Sequence, residues 1–370
     1  MELAGLPSDA RLYLRPTAFI DAPFGHDGQV ARLAGGLCWF SGVELIVRHD
    51  GRRIAQKLIP LDRIEQAFES LPLALQGRAR ALWARLTGAR APLVLGERTL
   101  RFDQPHVMGI LNRTPDSFSD GGRHAGDEAA AASAIDMAAA GAAIIDIGGE
   151  STRPGAEEVW EGDEIERVLP VIERLRPSGI PISIDTRKSA VMAAALAAGA
   201  HIVNDVSALT FDPRSAELVA RAGCPVVLMH HQGKPETMQQ APAYGDALLD
   251  VFDWLEERVD AVVAGGIARD RIVIDPGIGF GKALRHNLAI LNGLSLFHGL
   301  GCPVLLGASR KRIIGALSGE APVEQRLGGS LALVMAGLVQ GVQIVRVHDV
   351  PESVQAMRVW RGLRDAALTP

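Results

Sequence analysis

The sequence VMGILNRTPDSFSDGG, residues 107–122, decides the fold of this chain. It opens with an apolar run, residues 107–111, of the kind that forms a buried strand. The run ends at Asn112. A segment rich in Thr, Pro, Asp, Ser and Gly follows, which neither continues a strand nor begins a long helix. A buried strand therefore leads directly into a long polar loop with an amide side chain at its start.

The same order of apolar strand, polar tip and alanine-rich helix recurs along the rest of the chain. Most of the strands are apolar at nearly every position, as expected when both faces of a sheet are covered. Eight such strands favour an α/β fold, a parallel (β/α)8 TIM barrel, over an open doubly wound sheet. The predicted strands are residues 107–111, 143–147, 181–185, 201–204, 225–229, 271–275, 303–307 and 342–346. The clearest predicted helices are residues 127–140, 163–175, 189–198, 213–222, 246–265 and 327–339.

Residues 1–104 have a different pattern, which predicts a small α+β segment before the barrel at 105–370. Asp50-Gly51 is typical of a tight hairpin turn, and Pro72 interrupts one helical stretch, which predicts two helices or a kink. The predicted strands and helical stretch are residues 11–15, 42–49, 54–59, 61–87, 93–95 and 99–102. Because no catalytic constellation is present there, we expect packing, oligomer contact or capping of the barrel.

The composition is that of an ordinary globular protein. Of 370 residues, 48% are hydrophobic and 22% charged, and a net charge of −5 does not favour nucleic acid or anionic membranes as partners. The three cysteines, Cys38, Cys224 and Cys302, are far apart and are expected to be buried free thiols in a reducing compartment. We expect a cytoplasmic protein, because neither a signal-peptide pattern nor a membrane-spanning apolar run is evident.

Polar side chains follow every predicted strand of the barrel. Since the carboxyl ends of barrel strands meet at one face, these side chains are expected to line one mouth. Asp185, Asn204 and Asp275 suit the donor edge of a guanidine-like heterocycle, and Lys311 suits a ring carbonyl or nitrogen. The cationic and hydroxyl-bearing tips, with glycine-rich loops, suit a phosphate or diphosphate; the basic ones are Arg153, Arg346 and His348.

A structural interpretation competes with each of these assignments. An Asp after a strand is more often a turn residue or a helix cap than a ligand contact. Loop anchoring, capping or plain solvation could account for Asp146, Asp205, Asp349, Lys282, Arg310 and Arg187. His230 and His231 are adjacent in a strand end and should point to opposite sides, which disfavours a metal pair.

Taken in order, the motifs resemble those of the dihydropteroate synthase family of the folate pathway. They are MGILNRTPDSFSDGG, DIGGESTRPGA, SIDTRK, IVNDVS, LMHHQG, IDPGIGFGK, GASRK and RVHDV, which together extend from about His106 to the C-terminus. The resemblance implies a transferase that condenses 6-hydroxymethyl-7,8-dihydropterin diphosphate with 4-aminobenzoate, releasing 7,8-dihydropteroate and diphosphate. It also implies Mg²⁺, a homodimer and inhibition by sulfonamides.

The resemblance carries roles to individual residues of this chain. Asn112 matches the Mg²⁺-binding position. The pterin-diphosphate positions are matched by Thr152, Asp185, Asn204, Asp275, Lys311, Arg346 and His348. The 4-aminobenzoate positions are matched by Pro154, Phe280 and Ser309, with Arg153 and Gly279 also expected among the substrate-binding residues. Asn112, Asp275 and Lys311 are the expected catalytic residues, and loops 114–122 and 151–155 are expected to close over the site.

One departure and two alternatives accompany this interpretation. Arg113 stands where the family usually has Val, which predicts an extra cation near the diphosphate that strengthens binding or obstructs the loop. A pterin-binding methyltransferase domain would share the acidic strand tips but would hold no diphosphate. A non-catalytic pterin-binding paralogue is the other alternative.

The helices predicted at 327–339 and 354–363 are candidates for a dimer face.

Overall fold

The computed structural model describes residues 3–113, 122–151, 158–233, 238 and 240–369, and only the backbone of 122–125. An antiparallel sheet comes first in the chain. Its strands are β1 (Arg11–Ile20), β2 (Ala31–Arg32), β3 (Trp39–His49) and β4 (Arg52–Pro60), with β3 paired to the other three. Asp50 and Gly51 join β3 to β4 with φ of 49° and 74°. Positive φ at both positions is what a two-residue type I′ hairpin requires.

Two helices and a second hairpin complete the N-terminal segment. Helix α1 (Ile64–Glu69) and helix α2 (Leu73–Thr87) are separated at Pro72, which confirms the predicted break. Strands β5 (Leu93–Leu95) and β6 (Arg98–Leu100), which correspond to the strands predicted at 93–95 and 99–102, pair as an antiparallel hairpin. The apolar side chains of this hairpin pack with one layer of barrel residues, among them Met108, Ile202 and Val273. The hairpin therefore closes the amino-terminal end of the barrel.

Eight parallel strands form the barrel, which confirms the predicted fold class. They are β7 (His106–Asn112), β8 (Ile144–Gly148), β9 (Ile182–Asp185), β10 (Ile202–Asp205), β11 (Val226–Met229), β12 (Ile272–Asp275), β13 (Leu305–Leu306) and β14 (Ile344–Val347). Their order in the sheet is β12-β11-β10-β9-β8-β7-β14-β13. A parallel bridge between Ile274 and Val304 joins the two end strands, so the sheet closes rather than staying open.

Helices alternate with these strands and cover the outside. They are α3 (Gly122–Ala140), α4 (Glu161–Leu175), α5 (Ser189–Ala198), α6 (Ser215–Ala222), α7 (Ala247–Ala264), α8 (Leu284–Asn292), α9 (Arg312–Leu317), α10 (Leu327–Leu338) and α11 (Val350–Ala367). Within the described ranges, no helix is both long enough and apolar enough to cross a membrane. Cys38 and Cys302 are buried thiols as predicted, whereas Cys224 is only half-buried.

The alternation of side chains along each strand positions the site. Residues two apart point to the same side of a strand. Ile144 belongs to the apolar layer against the hairpin, so Asp146, two residues on, faces the same interior closer to the carboxyl end. The same step leads from Ile202 to Asn204 and from Val273 to Asp275. An apolar floor therefore lies beneath a polar layer at the carboxyl-terminal mouth.

Candidate active site

A cavity of about 1070 Å³ opens at the carboxyl ends of the strands. Of the predicted site residues, those that line it are Asn112, Asp185, Gly279, Phe280, Ser309, Lys311, Arg346 and His348. Asn204 and Asp275 are buried next to this wall. Thr152, Arg153, Pro154 and most of the two loops expected to close over the site lie outside the described residues. Among the described lining residues, Lys and Arg outnumber Asp and Glu six to two, which suits an anionic ligand.

A charged cluster connects four strands below the mouth. Arg346 Nε lies 2.6 Å from Asp146 Oδ2, and Arg346 Nη2 lies 2.6 Å from Asp185 Oδ2. Asn204 Nδ2 donates to Asp146 Oδ2 at 3.0 Å. Asp146 is fully buried, so its role extends beyond the loop anchoring considered from the sequence. Its position two residues after Ile144 on an interior face was the signal that could have identified it.

Two carboxylates in this cluster share one guanidinium. Burial is the main cause that raises the pKa of Asp185, to about 7, while Arg346 opposes the rise and Asp146 adds to it. Arg346 remains charged, because the two carboxylates raise its pKa against the effect of burial. Asp185 is thus a carboxyl that a ligand donor can easily convert to the ionised form.

The glycine-rich segment after β12 positions Asp275 and Lys311. Asp275 Oδ1 accepts a 2.7 Å hydrogen bond from the Gly277 N–H. Lys311 Nζ donates to the Ile278 carbonyl and lies 4.6 Å from the centroid of the Phe280 ring, a cation–π arrangement. Burial lowers the pKa of Lys311 to about 8, partly offset by Asp275. Lys311 is therefore a cation whose proton is held weakly.

Lys282, which the sequence left open as a solvated charge, is buried. Its Nζ lies 2.8 Å from His230 Nδ1 and donates to the carbonyl oxygens of Gly277 at 2.8 Å and Phe280 at 3.0 Å. Burial lowers the pKa of both partners, that of His230 to about 2. Lys282 thus holds the backbone of the glycine-rich segment in place, because one ammonium group binds two of its carbonyl oxygens.

Arg310 is likewise not a freely solvated side chain. Its Nε lies 3.0 Å from Asp349 Oδ2, and its second contact to the same carboxylate is also short. The backbone of Arg310 is left-handed, with φ of 57°, and its N–H donates to Ser330 Oγ at 2.9 Å. On the neighbouring residues, Ser309 Oγ lies 3.1 Å from His348 Nδ1. The loops after β13 and β14 are therefore tied together twice.

Contrary to the expectation from the sequence, the Arg113 side chain does not face the cavity. Its side chain is almost fully buried, pairs with Asp127 and donates to the Gly126 carbonyl at 2.9 Å. Because Asn112, the last residue of β7, points into the barrel mouth, Arg113 directly after it points outward toward α3 and α4. The extra cation therefore joins β7 to α3, and the expectation of a cation beside the diphosphate is wrong for this structure.

A second buried ion-pair network was missed by sequence reasoning. Glu150, at the end of β8, is 2.9 Å from Lys188 Nζ and 3.1 Å from Arg187 Nε. Lys188 also pairs with the fully buried Glu164 at 2.7 Å. Arg187 is thus paired rather than solvated. In contrast, Asp205 accepts hydrogen bonds from the Ser207 and Leu209 N–H groups, which confirms its structural role as a loop cap.

Asn112 offers an oxygen ligand for a cation at the edge of the cavity. Across the described ranges, no three His, Cys, Asp or Glu side chains are grouped to hold a metal ion. Mg²⁺ commonly takes one or two protein oxygens and completes its shell with substrate phosphates and water. An exposed asparagine at the edge of a cavity lined by more cationic than anionic side chains fits that pattern, with most ligands supplied by the substrate.

Comparisons with known proteins agree with this geometry. Residues 108–348 match the family described as pterin binding enzyme. The dihydropteroate synthase of Escherichia coli K12 is 48% identical over 262 residues, which cover 70% of this chain and 92% of the relative. The Yersinia pestis dihydropteroate synthase, solved as a sulfonamide drug complex, superposes with a TM-score of 0.70 and 45% identity over 74% of this chain and all of that one. The Xanthomonas albilineans dihydropteroate synthase, solved in complex with 7,8-dihydropteroate, superposes with a TM-score of 0.68 and 44% identity over 74% of this chain and 99% of that one. The chain therefore belongs to the dihydropteroate synthase family of pterin-binding enzymes.

Proposed function

We propose that this chain condenses 6-hydroxymethyl-7,8-dihydropterin diphosphate with 4-aminobenzoate to form 7,8-dihydropteroate and diphosphate. The observation that carries the proposal is the convergence of Asp185, Lys311 and Arg346 on one cavity at the mouth of a barrel, in a chain of this family. Asp185 and Arg346 belong to the cluster with Asp146 and Asn204, whose carboxylates and amide provide the acceptors that a guanidine-like pterin edge requires.

The pterin is held, on this proposal, by buried groups from four strand ends. Asp185 and Asp275 accept from the ring's donor edge, Asn204 contributes its amide, and Lys311 leaves the Ile278 carbonyl to donate to the ring. A ligand that lacks these donors cannot make these hydrogen bonds with the buried carboxyls, which makes the site selective for pterins.

The diphosphate binds at the edge that carries Asn112, Ser309, Arg346 and His348. Arg346 already faces two carboxylates, so its charge is largely offset and its remaining N–H donors matter more than its net charge. Asn112 would hold Mg²⁺, which when bound neutralises diphosphate charge and improves it as a leaving group. The His348 ring and the Ser309 hydroxyl orient the phosphate oxygens by hydrogen bonds.

Bond breaking then precedes or accompanies attack by the aryl amine. The carbon–oxygen bond to diphosphate breaks, and the carbocation at the pterin methylene is stabilised by the nearby carboxylate of Asp275. The amine of 4-aminobenzoate forms the new carbon–nitrogen bond and loses one proton to solvent or to departing diphosphate. An aryl amine needs positioning more than deprotonation, and Phe280 and Ser309 supply a wall for its ring.

We also propose a domain organisation, a cellular location and an oligomeric state for this chain. We divide the chain into an N-terminal segment, 1–104, and the pterin-binding barrel, 105–370, and we place the protein in the cytoplasm. A homodimer through α10 and α11 is supported by the exposed apolar side chains of Leu327, Val339, Val359 and Leu363 on or next to these helices. Exposed apolar groups on adjacent helices favour burial against a second copy.

Titration of the purified chain tests this function directly. We expect pterin diphosphate to bind with Mg²⁺, and addition of 4-aminobenzoate to produce equal amounts of 7,8-dihydropteroate and diphosphate. Diphosphate release distinguishes the synthase from a pterin-binding methyltransferase, which has none to release. Binding without product would instead identify a non-catalytic paralogue and contradict the proposal.

A further inference from the structure

The N-terminal segment docks on the barrel through arginine side chains that meet an acidic face of α7. Toward the middle of α7, Glu256 accepts from Arg11 at 2.8 Å and from Arg78 at 2.9 Å. Tyr13, from β1, donates to Asp253 at 2.8 Å and packs edge-on against Phe252. All of these N-terminal residues precede residue 108, where the match to the family begins.

The hairpin between β3 and β4 extends this interface to the first turn of α7. Arg53 binds the Asp246 carboxylate with both Nε, at 2.5 Å, and Nη2, at 3.2 Å. Arg48 Nη2 lies 2.6 Å from Asp250 Oδ1. Burial opposes ionisation of Asp246, but Arg53 dominates together with other partners and keeps the pKa of this carboxyl below its usual range. The β3–β4 hairpin thus binds the amino-terminal end of α7, which lies on the catalytic side of the barrel.

The same two carboxylates organise the segment that precedes α7. Asp246 caps the helix by accepting from the Leu249 N–H. Asp250 Oδ2 accepts from the N–H groups of Gly245 at 2.9 Å and Asp246 at 3.0 Å. A carboxylate that a partner holds in place keeps these backbone groups in one geometry.

From there the contacts reach the wall of the cavity. The Tyr244 hydroxyl donates to the Gly281 carbonyl at 2.8 Å. Gly281 has φ of 61°, and a Cβ on it would lie 2.2 Å from the Gln232 carbonyl oxygen, so this backbone is tightly fitted. Its neighbour Phe280 lines the cavity together with Gln240 and Pro242.

We infer that the β3–β4 hairpin is a positioning element of the active site, and we call its contacts to the start of α7 the brace. Arg53 and Arg48 hold Asp246 and Asp250, these fix the segment around Tyr244, and Tyr244 fixes the glycine-rich backbone that carries Phe280. The inference rests on the proposed function, because Phe280 is assigned there to the wall for 4-aminobenzoate. It gives residues 1–104 a role in binding the second substrate, in addition to packing.

Two variants test the brace, and one matched variant serves as control. Arg53→Gln removes the bidentate pair, and Asp246→Asn removes the charge but keeps a good helix cap. Arg78→Gln breaks a comparable ion pair between the N-terminal segment and α7, but at Glu256, farther along the helix. The measurements are KM and kcat for 4-aminobenzoate, thermal melting, and amide hydrogen exchange of the backbone around 242–249 and 277–282.

The expected result is a separation between the brace and the control. For a partly exposed pair we expect KM for 4-aminobenzoate to rise about two- to five-fold in both brace variants, with kcat within about two-fold of the original. The effect of the double variant should be smaller than the sum of the two single effects, because both variants weaken the same ion pair. Exchange should rise in both backbone segments in the brace variants and not in Arg78→Gln.

Two outcomes would overturn the inference. One is unchanged exchange in 277–282 in both brace variants, which shows that the hairpin does not act on the glycine-rich segment; this readout needs no turnover. The other is a KM change in Arg78→Gln as large as in Arg53→Gln, which identifies general destabilisation as the cause. Absence of product from the unmodified chain would count against the proposed function alone, while exchange would still decide the brace.

Discussion

Arg346 Nε lies 2.6 Å from Asp146 Oδ2, although the two residues are 200 positions apart in the chain. The guanidinium also holds Asp185, so a single cation from β14 organises the carboxyls of β8 and β9. A partly buried guanidinium with two buried carboxylates is stable only as a set, since each partner offsets the desolvation of the others. Asp185 and Arg346 of this cluster also line the cavity of the proposed pterin site.

Replacement of Arg346 by Met should therefore damage both stability and function. Two buried carboxyls lose their counter-ion, and removal of one partner from a buried pair costs roughly 3–5 kcal/mol of the free energy of unfolding. Urea denaturation measures this loss, and turnover should fall below detection. Arg269→Met is the control, because Arg269 pairs with Asp260 at the surface and should cost no more than about 1 kcal/mol. Equal losses in the two variants would contradict the buried-cluster interpretation.

Asp275→Asn tests the pterin contacts without changing side-chain size. The amide oxygen can still accept from the Gly277 N–H, but the negative charge is lost. A hydrogen bond to a charged group contributes about 1.5–3 kcal/mol, so pterin affinity should fall roughly 10- to 100-fold by calorimetry. Asp205→Asn is the matched control, because this buried carboxylate also ends a strand but accepts its hydrogen bonds from the turn that follows, from the N–H groups of Ser207 and Leu209 and the Ser207 hydroxyl. Its pterin affinity should be unchanged even if its melting temperature falls.

The binding of 6-hydroxymethyl-7,8-dihydropterin, without its diphosphate, should weaken above pH 8. Burial lowers the pKa of Lys311 to about 8, so this side chain is a cation below that pH and loses its proton as pH rises through it. A neutral amine donates more weakly to a ring carbonyl. Fluorescence titration from pH 7 to 9.5 measures the effect. Lys311→Met should bind more weakly at pH 7 and should lack the alkaline decline; a decline that persists would assign it to another group.

Lys282→Met should loosen the glycine-rich segment. The change removes the Lys282 donor from both carbonyls; that of Gly277 still accepts from the Phe280 N–H, whereas that of Phe280 loses its ammonium partner, and an unsatisfied buried group costs about 1–3 kcal/mol. We expect a lower free energy of unfolding by denaturation and a higher KM for 4-aminobenzoate. Lys57→Met on β4, which removes an exposed lysine, should change neither quantity. A stable Lys282→Met variant with unchanged KM would rule out this positioning role.

Removal of divalent cations should act on the diphosphate and spare the pterin ring. With chelator present, affinity for pterin diphosphate should fall, whereas affinity for the hydroxymethyl pterin should stay constant. In Asn112→Ala the response to added Mg²⁺ should shift to higher concentration, because one oxygen ligand is lost. Isothermal titration with and without Mg²⁺ measures both. An unaltered Mg²⁺ response in Asn112→Ala would remove Asn112 from the metal site.

Much of the barrel was predictable because its signals are local. Apolar strands, polar tips and alanine-rich helices alternate at spacings visible in the sequence, and the turn at Asp50-Gly51 requires only two residues in positive φ. The strand ends Asp185, Asn204 and Asp275 were predictable for the same reason, since every barrel strand presents its carboxyl end at one mouth. Cross-strand partners are not local, so sequence reasoning did not identify the pairing of Arg346 with Asp146.

The sequence by itself determined the barrel, the polar tips of its strands and the resemblance to a pterin-binding family, because strand and helix periodicity and short motifs are properties of neighbouring residues. Only the tertiary structure decided which charges meet. It buried Lys282 among carbonyl oxygens, turned Arg113 outward onto Asp127, and brought Arg53 to the first turn of α7. Such pairings depend on the closure of the barrel and on how the N-terminal sheet docks on it, and desolvation makes partners obligatory for the two buried side chains, Lys282 and Arg113.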